Sequence, residues 1–234
     1  MQDGEMQPNA GNSVIPMYGP GEFKNHLCAL RDFLQEHSII RKLPGADDFL
    51  LASGGRSGYY CDSKATLLSP EGSELTGKVL SYILKHEGAE AVGGLQLGAT
   101  FIATAVALVS GQQGHPIYGF TVRDQQKTHG NKERIAASFH PDGQELLCPN
   151  RRVVIVDDVV TGGRSVFKAV EAVREKRCKI LAVIALVDRG GEGKSFLTTE
   201  NLRYYSLFDA SEPGDLKVNE DVLNLTKFHR LHSA

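Results

Sequence analysis

Runs of apolar, mostly β-branched or small residues alternate with amphipathic segments along most of this chain. The clearest apolar runs are Ala91 to Gly94, Pro116 to Val122, Val153 to Val156 and Ile180 to Val187. Because these runs carry no polar face, they are typical of strands buried on both sides of a parallel sheet. The alternation predicts an α/β fold, with a central parallel sheet flanked by helices.

Helical spacing is clearest in two N-terminal segments. The first runs from about Glu22 to Lys42 and places five apolar residues on one face: Phe23, Leu27, Leu30, Phe33 and Leu34. The second begins at Ser69, which Pro70 and Glu71 follow as a good helix start, and ends near Gly88. Further helices are predicted over Ala99 to Val109 and from Ser165 to about Lys176.

The remaining segments are shorter. Phe49 to Asp62 predicts strand, tight turn and strand, because two apolar stretches enclose a Ser-Gly-Gly-Arg-Ser-Gly run. The tail after Leu202 predicts a strand over Arg203 to Phe208 and a short helix. Residues 1–21, rich in Gly, Pro and Asn, are expected to be a flexible lead-in to one domain over residues 22–234.

Composition narrows the class of protein. The 234 residues are 41% hydrophobic with a formal net charge of -2, and their Lys and Arg residues are scattered, which does not favour nucleic-acid binding. No apolar run approaches the length of a membrane span, and the N-terminus has no secretion pattern. Four widely spaced cysteines form no Cys-x-x-Cys pair, so reduced thiols in the cytoplasm are expected.

The most informative stretch follows the run at Val153. Two adjacent acids, Asp157 and Asp158, precede the sequence Thr161-Gly162-Gly163-Arg164-Ser165, which opens a predicted helix. Backbone N–H groups at the positive end of a helix dipole bind phosphate well, and the two carboxylates could hold hydroxyls or a magnesium ion. The stretch can therefore hold both ends of a sugar phosphate. A core strand before an N-capped helix, or a magnesium site in a nucleotide hydrolase, are the other interpretations.

Three more loops follow predicted strands, where ligands bind in such sheets. The glycines of the loop from Gly93 to Ala99 have two equally good explanations: binding of an anion by backbone amides, or close packing of the next helix on the sheet. The polar loop Arg123 to Arg134, with Lys127 and His129, suits either a solvated surface or a cationic lid that neutralises a leaving group. The loop Asp188 to Ser195 nearly matches a nucleoside-triphosphate phosphate loop but has Asp in place of the first Gly, so Arg189 is its more informative residue.

The acids and the following turn resemble the signature of type I phosphoribosyltransferases, which bind 5-phosphoribosyl 1-diphosphate (PRPP). From about Phe49 to Phe208 the chain resembles the orotate phosphoribosyltransferases. Five segments carry that resemblance: Leu51 to Asp62, Gly93 to Ala99, Gly119 to Gly130, Asp157 to Ser165, and Leu186 to Arg189.

The resemblance implies a five-stranded parallel core and a small hood, formed by about residues 22–62 plus the C-terminal segment. It also implies a homodimer in which each lid reaches the neighbouring subunit's site. Arg123, Lys127 and His129 would then meet the diphosphate, together with backbone amides from Leu95 to Gly98.

The same resemblance assigns the other substrate contacts. Asp157 and Asp158 would face the ribose hydroxyls, and the loop from Val159 and Val160 through Thr161, Gly162, Gly163, Arg164 and Ser165 would hold the 5′-phosphate. Orotate would contact Thr161, Arg189, Ser53, Tyr59 and Tyr60. Mg²⁺ would be held mainly through PRPP, with Asp157 and Asp158 as candidate direct ligands.

These expectations define one reaction: magnesium-dependent transfer of ribose 5-phosphate from PRPP to orotate, a step of pyrimidine biosynthesis. The same fold acting on another base and a non-catalytic PRPP-binding regulator are the alternatives. Three positions depart from the common family pattern, at Ala52, Leu97 and Asp124. Asp124 places an anion where a cation is frequent, so it is expected to weaken PRPP binding.

Overall fold

The fold is built around one seven-stranded sheet. A computed structural model describes residues 18–50, 54–124, 134–137, 143, 145–191 and 200–223. Within those ranges the strands are β1 (Ile39–Arg41), β2 (Phe49–Leu50), β3 (Arg56–Ser57), β4 (Tyr59–Cys61), β5 (Ala91–Leu95), β6 (Tyr118–Val122), β7 (Ile135–Ala137), β8 (Arg152–Val160), β9 (Lys179–Asp188), β10 (Tyr204–Ser211) and β11 (Asp215–Val218).

The large sheet has the order β11-β10-β9-β8-β5-β6-β7. Its five inner strands, β10 to β6, are mutually parallel, and β11 and β7 pair antiparallel at the two edges. The described helices are α1 (Pro20–His37), α2 (Lys64–Leu67), α3 (Pro70–Glu87), α4 (Gly98–Gln112), α5 (Arg164–Glu175) and α6 (Glu220–Leu223). The predicted fold class, with a five-stranded parallel core, is confirmed.

Side chains of β8 alternate between two hydrophobic cores. Val154 and Val156 pack on the side of α1, α3 and α4, whereas Val153 and Ile155 pack on the side of α5. This two-sided burial explains why the run has no polar position before Asp157. It also fixes the carboxyl end of β8 between the two helical layers.

The segment predicted to form the hood contains two small antiparallel pairs of strands. Strand β2 pairs with β3, as the predicted hairpin requires, but β4 pairs with β1 instead of continuing that hairpin. The turn between β10 and β11 packs on this second pair, since a Cβ on Gly214 would lie 2.8 Å from both the Tyr59 ring and Ile39. The C-terminal hairpin and the N-terminal segment therefore support each other.

Several predicted boundaries were wrong. The first helix begins at Pro20, two residues before the predicted start, because Pro occupies its first turn and Glu22 accepts a hydrogen bond from the Gly19 N–H. It ends at His37, short of Lys42, because the β-branched residues of β1 pair with β4. Residues 1–17, most of the predicted lead-in, lie outside the described residues.

Other corrections concern strands. Strand β8 continues through both acids to Val160, and the strand predicted from Pro116 begins at Tyr118. The sequence did not predict α2, β7 or β11, which are four residues or fewer in length. By contrast α3 has the predicted ends: Ser69 accepts from the Gly72 N–H, and Gly88 ends the helix at φ 70°.

None of the helices described here combines the length and the apolar character needed to cross a membrane.

Candidate active site

A cavity of about 360 Å³ lies at the carboxyl ends of the central strands. It is formed by four separate parts of the chain: the hood, the turn after β8, the loop after β9 and the end of β10. The lining residues are Arg56, Ser57, Tyr59, Thr161, Gly162, Arg189, Gly190, Gly191, Ala210 and Glu212. Ligands bind at this edge of doubly wound sheets, so the cavity is the natural candidate site.

Asp157 lies at one side of this region and is buried, with 5% of its surface exposed. Its carboxylate accepts hydrogen bonds from the Ser165 hydroxyl and, at 3.1 Å, from the Asp158 N–H. Burial, followed by the nearby Asp158 carboxylate, raises the pKa of Asp157 above its ordinary value. The first acid is thus tied to the start of α5.

Asp158 is half-buried and faces a different neighbour. It accepts a hydrogen bond from the Ser63 hydroxyl, just before α2. Its carboxylate also lies against the first residue of α4, because a Cβ on Gly98 would come within 2.2 Å of the Asp158 Cγ. The second acid is therefore held between Ser63 and a helix N-terminus, whose dipole favours a negative charge. No motif in the sequence had pointed to Ser63.

The turn from Thr161 to Ser165 leads directly into α5. Gly163 adopts the left-handed conformation, with φ 72°, which residues with a Cβ rarely adopt. Within the described chain, no side chain caps the start of α5 and its first turn holds no acid. The first amides of the helix can therefore receive an anion, as the sequence pattern predicts for a phosphate.

Arg189 is the central side chain at the end of the cavity next to strands β3 and β4. Its Nη2 donates to the Ser57 hydroxyl at 2.9 Å and to the Tyr59 carbonyl at 3.0 Å. Its guanidinium carbon stands 4.1 Å from the centre of the Tyr59 ring. The buried Nε has no hydrogen-bond partner among the described residues.

Two residues of this end were missed at the sequence level. Ser57 is buried and donates to a Glu212 carboxylate oxygen at 2.8 Å. Glu212 belongs to the turn after β10, 155 positions along the chain from Ser57. Ser57 lies inside a recognised motif, whereas an acid beside Pro213 has the sequence of an ordinary turn, so only the tertiary contact reveals it.

The other predicted base contacts are placed differently. Tyr60 is 38% exposed and lies on the opposite face of β4 from Tyr59, with its ring 6.1 Å from that of Phe49. The structure does not bring Tyr60 to the cavity. Ser53, like Lys127 and His129 of the lid, lies outside the described residues.

Of the predicted lid, Arg123 to Arg134, only the two ends are described. The Arg123 N–H donates to the Arg134 carbonyl at 2.7 Å, which closes the loop at its stem. Asp124 pairs with Lys168 of α5, and Arg134 donates to the Lys168 carbonyl at 3.3 Å. The negative charge of Asp124 is therefore neutralised by a neighbouring cation and directed towards α5.

The glycines of β5 have a packing role. A Cβ on Gly93 would lie 2.1 Å from the Phe120 carbonyl oxygen, and one on Gly94 would lie 2.1 Å from the Val156 carbonyl oxygen. These contacts explain both glycines without a ligand. The following residues, Leu95 to Gly98, still lead from the sheet edge into α4 beside Asp158, where amides can approach an anion.

The loop after β9 does not need a nucleotide to explain its composition. The Asp188 carboxylate accepts from the Gly190 N–H at 2.8 Å and from the Tyr204 hydroxyl at 2.9 Å. Gly190 and Gly191 both have positive φ, and the Arg189 N–H donates to the Val160 carbonyl at 3.0 Å. Asp188 thus shapes the turn that presents Arg189.

Among the residues that the structure describes, no three His, Cys, Asp or Glu side chains are grouped to hold a metal ion. The two carboxylates at the end of β8 do fit Mg²⁺ shared with a ligand. Mg²⁺ is commonly held by one or two carboxylates together with substrate oxygens and water.

Comparison with known proteins supplies independent findings. The family described as phosphoribosyl transferase domain matches residues 103–196. Orotate phosphoribosyltransferase of Aquifex aeolicus (strain VF5) is 42% identical over 174 residues, which cover 74% of this chain and 91% of that protein. The protein of the same name from Bradyrhizobium diazoefficiens is 40% identical over equal shares.

Solved structures show the same fold. Orotate phosphoribosyltransferase of Mycobacterium tuberculosis H37Rv, in complex with Fe(III) dicitrate, has a TM-score of 0.63 at 29% identity, covering 77% of this chain and 94% of that one. The same enzyme in complex with PRPP has a TM-score of 0.59 at 25% identity, covering 82% and 91%.

Proposed function

The chain belongs to the orotate phosphoribosyltransferase family, and we propose that its cavity performs the magnesium-dependent, reversible transfer of ribose 5-phosphate from PRPP to orotate. The products are orotidine 5′-monophosphate and diphosphate. One observation carries the assignment of the site: the turn at Thr161 and Gly162 lines the same cavity as Arg189 and Tyr59. An anion-binding turn and a polar aromatic subsite are thereby joined, as a sugar phosphate and a base require.

The phosphate end rests on the β8–α5 segment. Amides of Gly162 to Ser165 receive the 5′-phosphate at the start of α5, and Val159 and Val160 lead the backbone to that turn. Asp157 and Asp158 accept hydrogen bonds from the ribose hydroxyls. Asp158 is already oriented by Ser63 and Gly98, which supports this role.

At the base end the ligand is a flat, anionic pyrimidine. Arg189 supplies the unpartnered Nε donor, Tyr59 supplies apolar surface, and Thr161 approaches from the phosphate side. Ser53 remains a proposed contact, whereas Tyr60 lies on the other face of β4 and is not part of the proposed subsite. Guanidinium groups bind carboxylates and paired carbonyls well because their donors are fixed in a plane.

The reaction exchanges one bond at ribose C1′ for another. The bond to the diphosphate oxygen breaks, a bond to N1 of orotate forms, and the N1 proton passes to solvent. Since the transition state resembles an oxocarbenium ion with a departing diphosphate, no covalent nucleophile is required. Arg123, Lys127 and His129 stabilise the negative charge that develops on the diphosphate, and the cavity orients the base.

Bound Mg²⁺ would neutralise part of the diphosphate charge, and Asp157 and Asp158 would help hold it. We further propose a homodimer in which each lid serves the neighbouring site. Mixing Lys127→Ala chains with Asp158→Asn chains then regenerates activity that neither variant has alone. A mixture as inactive as its components would contradict lid sharing.

A cytoplasmic location is also part of the proposal. All four cysteines are free, including the buried Cys61, which agrees with a reducing compartment.

The direct test measures orotate consumption and diphosphate release after PRPP and Mg²⁺ are added. Uracil, adenine and hypoxanthine serve as comparison bases. Activity with orotate, and with none of the three comparison bases, supports the proposal. Preference for another base would reassign the base subsite while leaving the phosphate end intact, and PRPP binding without turnover on any base would favour a regulator.

A further inference from the structure

The hydrogen bonds around Ser57 identify a residue that acts on the base subsite through another side chain. The Ser57 hydroxyl accepts from Arg189 Nη2 at 2.9 Å and from the Tyr59 N–H at 3.3 Å. It donates its one hydrogen to Glu212 Oε1 at 2.8 Å. A serine hydroxyl has one donor and two acceptor positions, so every position is filled from within the protein.

This saturation means that Ser57 lines the cavity without a free group to offer a ligand. Its function there is to hold Arg189. The oxygen can accept from Arg189 only while its hydrogen points elsewhere, and Glu212 is the group that receives that hydrogen. The carboxylate therefore fixes the direction of the hydrogen bond on which the Arg189 guanidinium rests.

The turn that carries Glu212 is itself held by the hood. Gln35 of α1 donates to the Gly214 carbonyl at 2.9 Å and accepts from the Leu216 N–H at 2.7 Å. Arg41 of β1 donates to the Pro213 carbonyl at 3.1 Å. Glu212 is consequently presented to Ser57 by a turn with contacts on both sides.

The same turn also limits movement of the aromatic partner. A Cβ on Gly214 would lie 2.8 Å from the Tyr59 ring, and one on Gly58 would lie 3.1 Å from Glu212 Oε2. Tyr59 is therefore in contact with the turn while its ring faces the Arg189 guanidinium at 4.1 Å. The turn supports both residues with which Arg189 interacts.

Resting on the proposed function, we propose that Glu212 is a positioning residue for the base subsite. By accepting the Ser57 hydrogen it keeps Ser57 in the acceptor orientation, which holds Arg189 over Tyr59 with its Nε free for the pyrimidine. Glu212 does not contact the reacting atoms, and the phosphate end of the site does not depend on it.

The test compares kinetic constants of matched variants. Glu212→Ala removes the acceptor and is expected to raise the KM for orotate about tenfold, equal to about 1.4 kcal/mol, with the KM for PRPP within about twofold of the original. Glu212→Gln keeps an acceptor oxygen and is expected to retain nearly the original value. Lys217→Ala removes an exposed charge from the adjoining strand β11 and serves as the control.

A double mutant separates positioning from general loss of structure. Because Glu212 acts through Ser57, adding Glu212→Ala to Ser57→Ala should raise the KM for orotate no further. Glu212→Met, which keeps the side-chain length without an oxygen, gives the same comparison should the alanine variant fold poorly. Thermal unfolding is measured on every variant.

Three results would overturn the proposal: an unchanged KM for orotate in both Glu212→Ala and Glu212→Met, an equal loss in Glu212→Gln or Lys217→Ala, or fully additive effects with Ser57→Ala. These outcomes leave the proposed function standing as long as the unmodified protein consumes orotate with PRPP. An unmodified protein inactive on orotate overturns the proposed function and this inference with it.

Discussion

The two ends of the cavity are built in opposite ways. The phosphate end is continuous in sequence, since Asp157 to Ser165 form one strand end, one turn and the start of α5. The base end is assembled from distant segments: Ser57 meets Arg189 across 132 positions and Glu212 across 155. The first is fixed mainly by local backbone geometry, and the second mainly by contacts between side chains.

Because of this difference, the two ends should tolerate substitutions to different degrees. A local strand–turn–helix unit keeps its amides in place when surrounding residues change, whereas a network of side-chain hydrogen bonds depends on each member. We therefore expect substitutions at the phosphate end to affect PRPP and those at the base end to affect orotate. Four predictions examine that division, beginning with the largest effect.

The lid should affect both ends, because it acts on the leaving group and not on either substrate alone. Lys127→Ala is expected to reduce turnover about a hundredfold or more, since one lost cation at a developing charge typically has that cost. Steady-state kinetics and circular dichroism measure turnover and fold. The control is Lys179→Ala, at the end of β9 far from the cavity. Normal turnover in Lys127→Ala would show that the lid has no part in the mechanism.

The phosphate end can be disturbed through Gly98. In Gly98→Ala the new Cβ would meet the Asp158 carboxylate at 2.2 Å, so Asp158 must move and its bond from Ser63 is lost. The KM for PRPP is expected to rise at least about tenfold, a loss comparable to that of one charge-assisted hydrogen bond.

Gly111→Ala is the matched control for that variant, because it lies in the same helix and its Cβ would meet nothing within 4 Å. It should leave both KM values unchanged and raise the melting temperature slightly, since Ala is the better helix former. Equal behaviour of the two variants would show that Asp158 is not held through Gly98.

At the base end, Arg189→Lys keeps the charge but removes the planar donors that reach Ser57 and the Tyr59 carbonyl. The KM for orotate is expected to rise about tenfold, within the range for hydrogen bonds to a charged group. The dissociation constant of PRPP, measured by calorimetry, should stay nearly constant. A parallel loss of PRPP affinity would break the proposed division between the ends.

The smallest effect is expected at Asp124. The sequence suggested that this anion weakens PRPP binding, but its carboxylate pairs with Lys168 on an exposed surface. Such pairs contribute at most about 1 kcal/mol, so Asp124→Asn should change the KM for PRPP by less than about fivefold. A larger improvement in PRPP binding would mean that Asp124 acts on the diphosphate after all.

Local pattern was sufficient for the phosphate end and the central sheet. The apolar run of β8 needs burial on both faces, and Gly163 permits the left-handed turn that opens α5. These properties depend on neighbouring residues in the chain, so the fold class, the caps of α3 and the turn that opens α5 were all foreseeable. The ends of β8 and α1 were less so, because strand pairing with distant segments sets them.

By itself the sequence determined a parallel sheet and the glycine-containing turn that opens α5, because backbone conformation and hydrophobic periodicity are local. Only the tertiary structure decided that Tyr59, and not Tyr60, faces the cavity, that Lys168 neutralises Asp124, and that Glu212 holds Ser57 against Arg189. Those outcomes depend on which distant surfaces meet when the two cores pack, and no spacing along the chain encodes that directly.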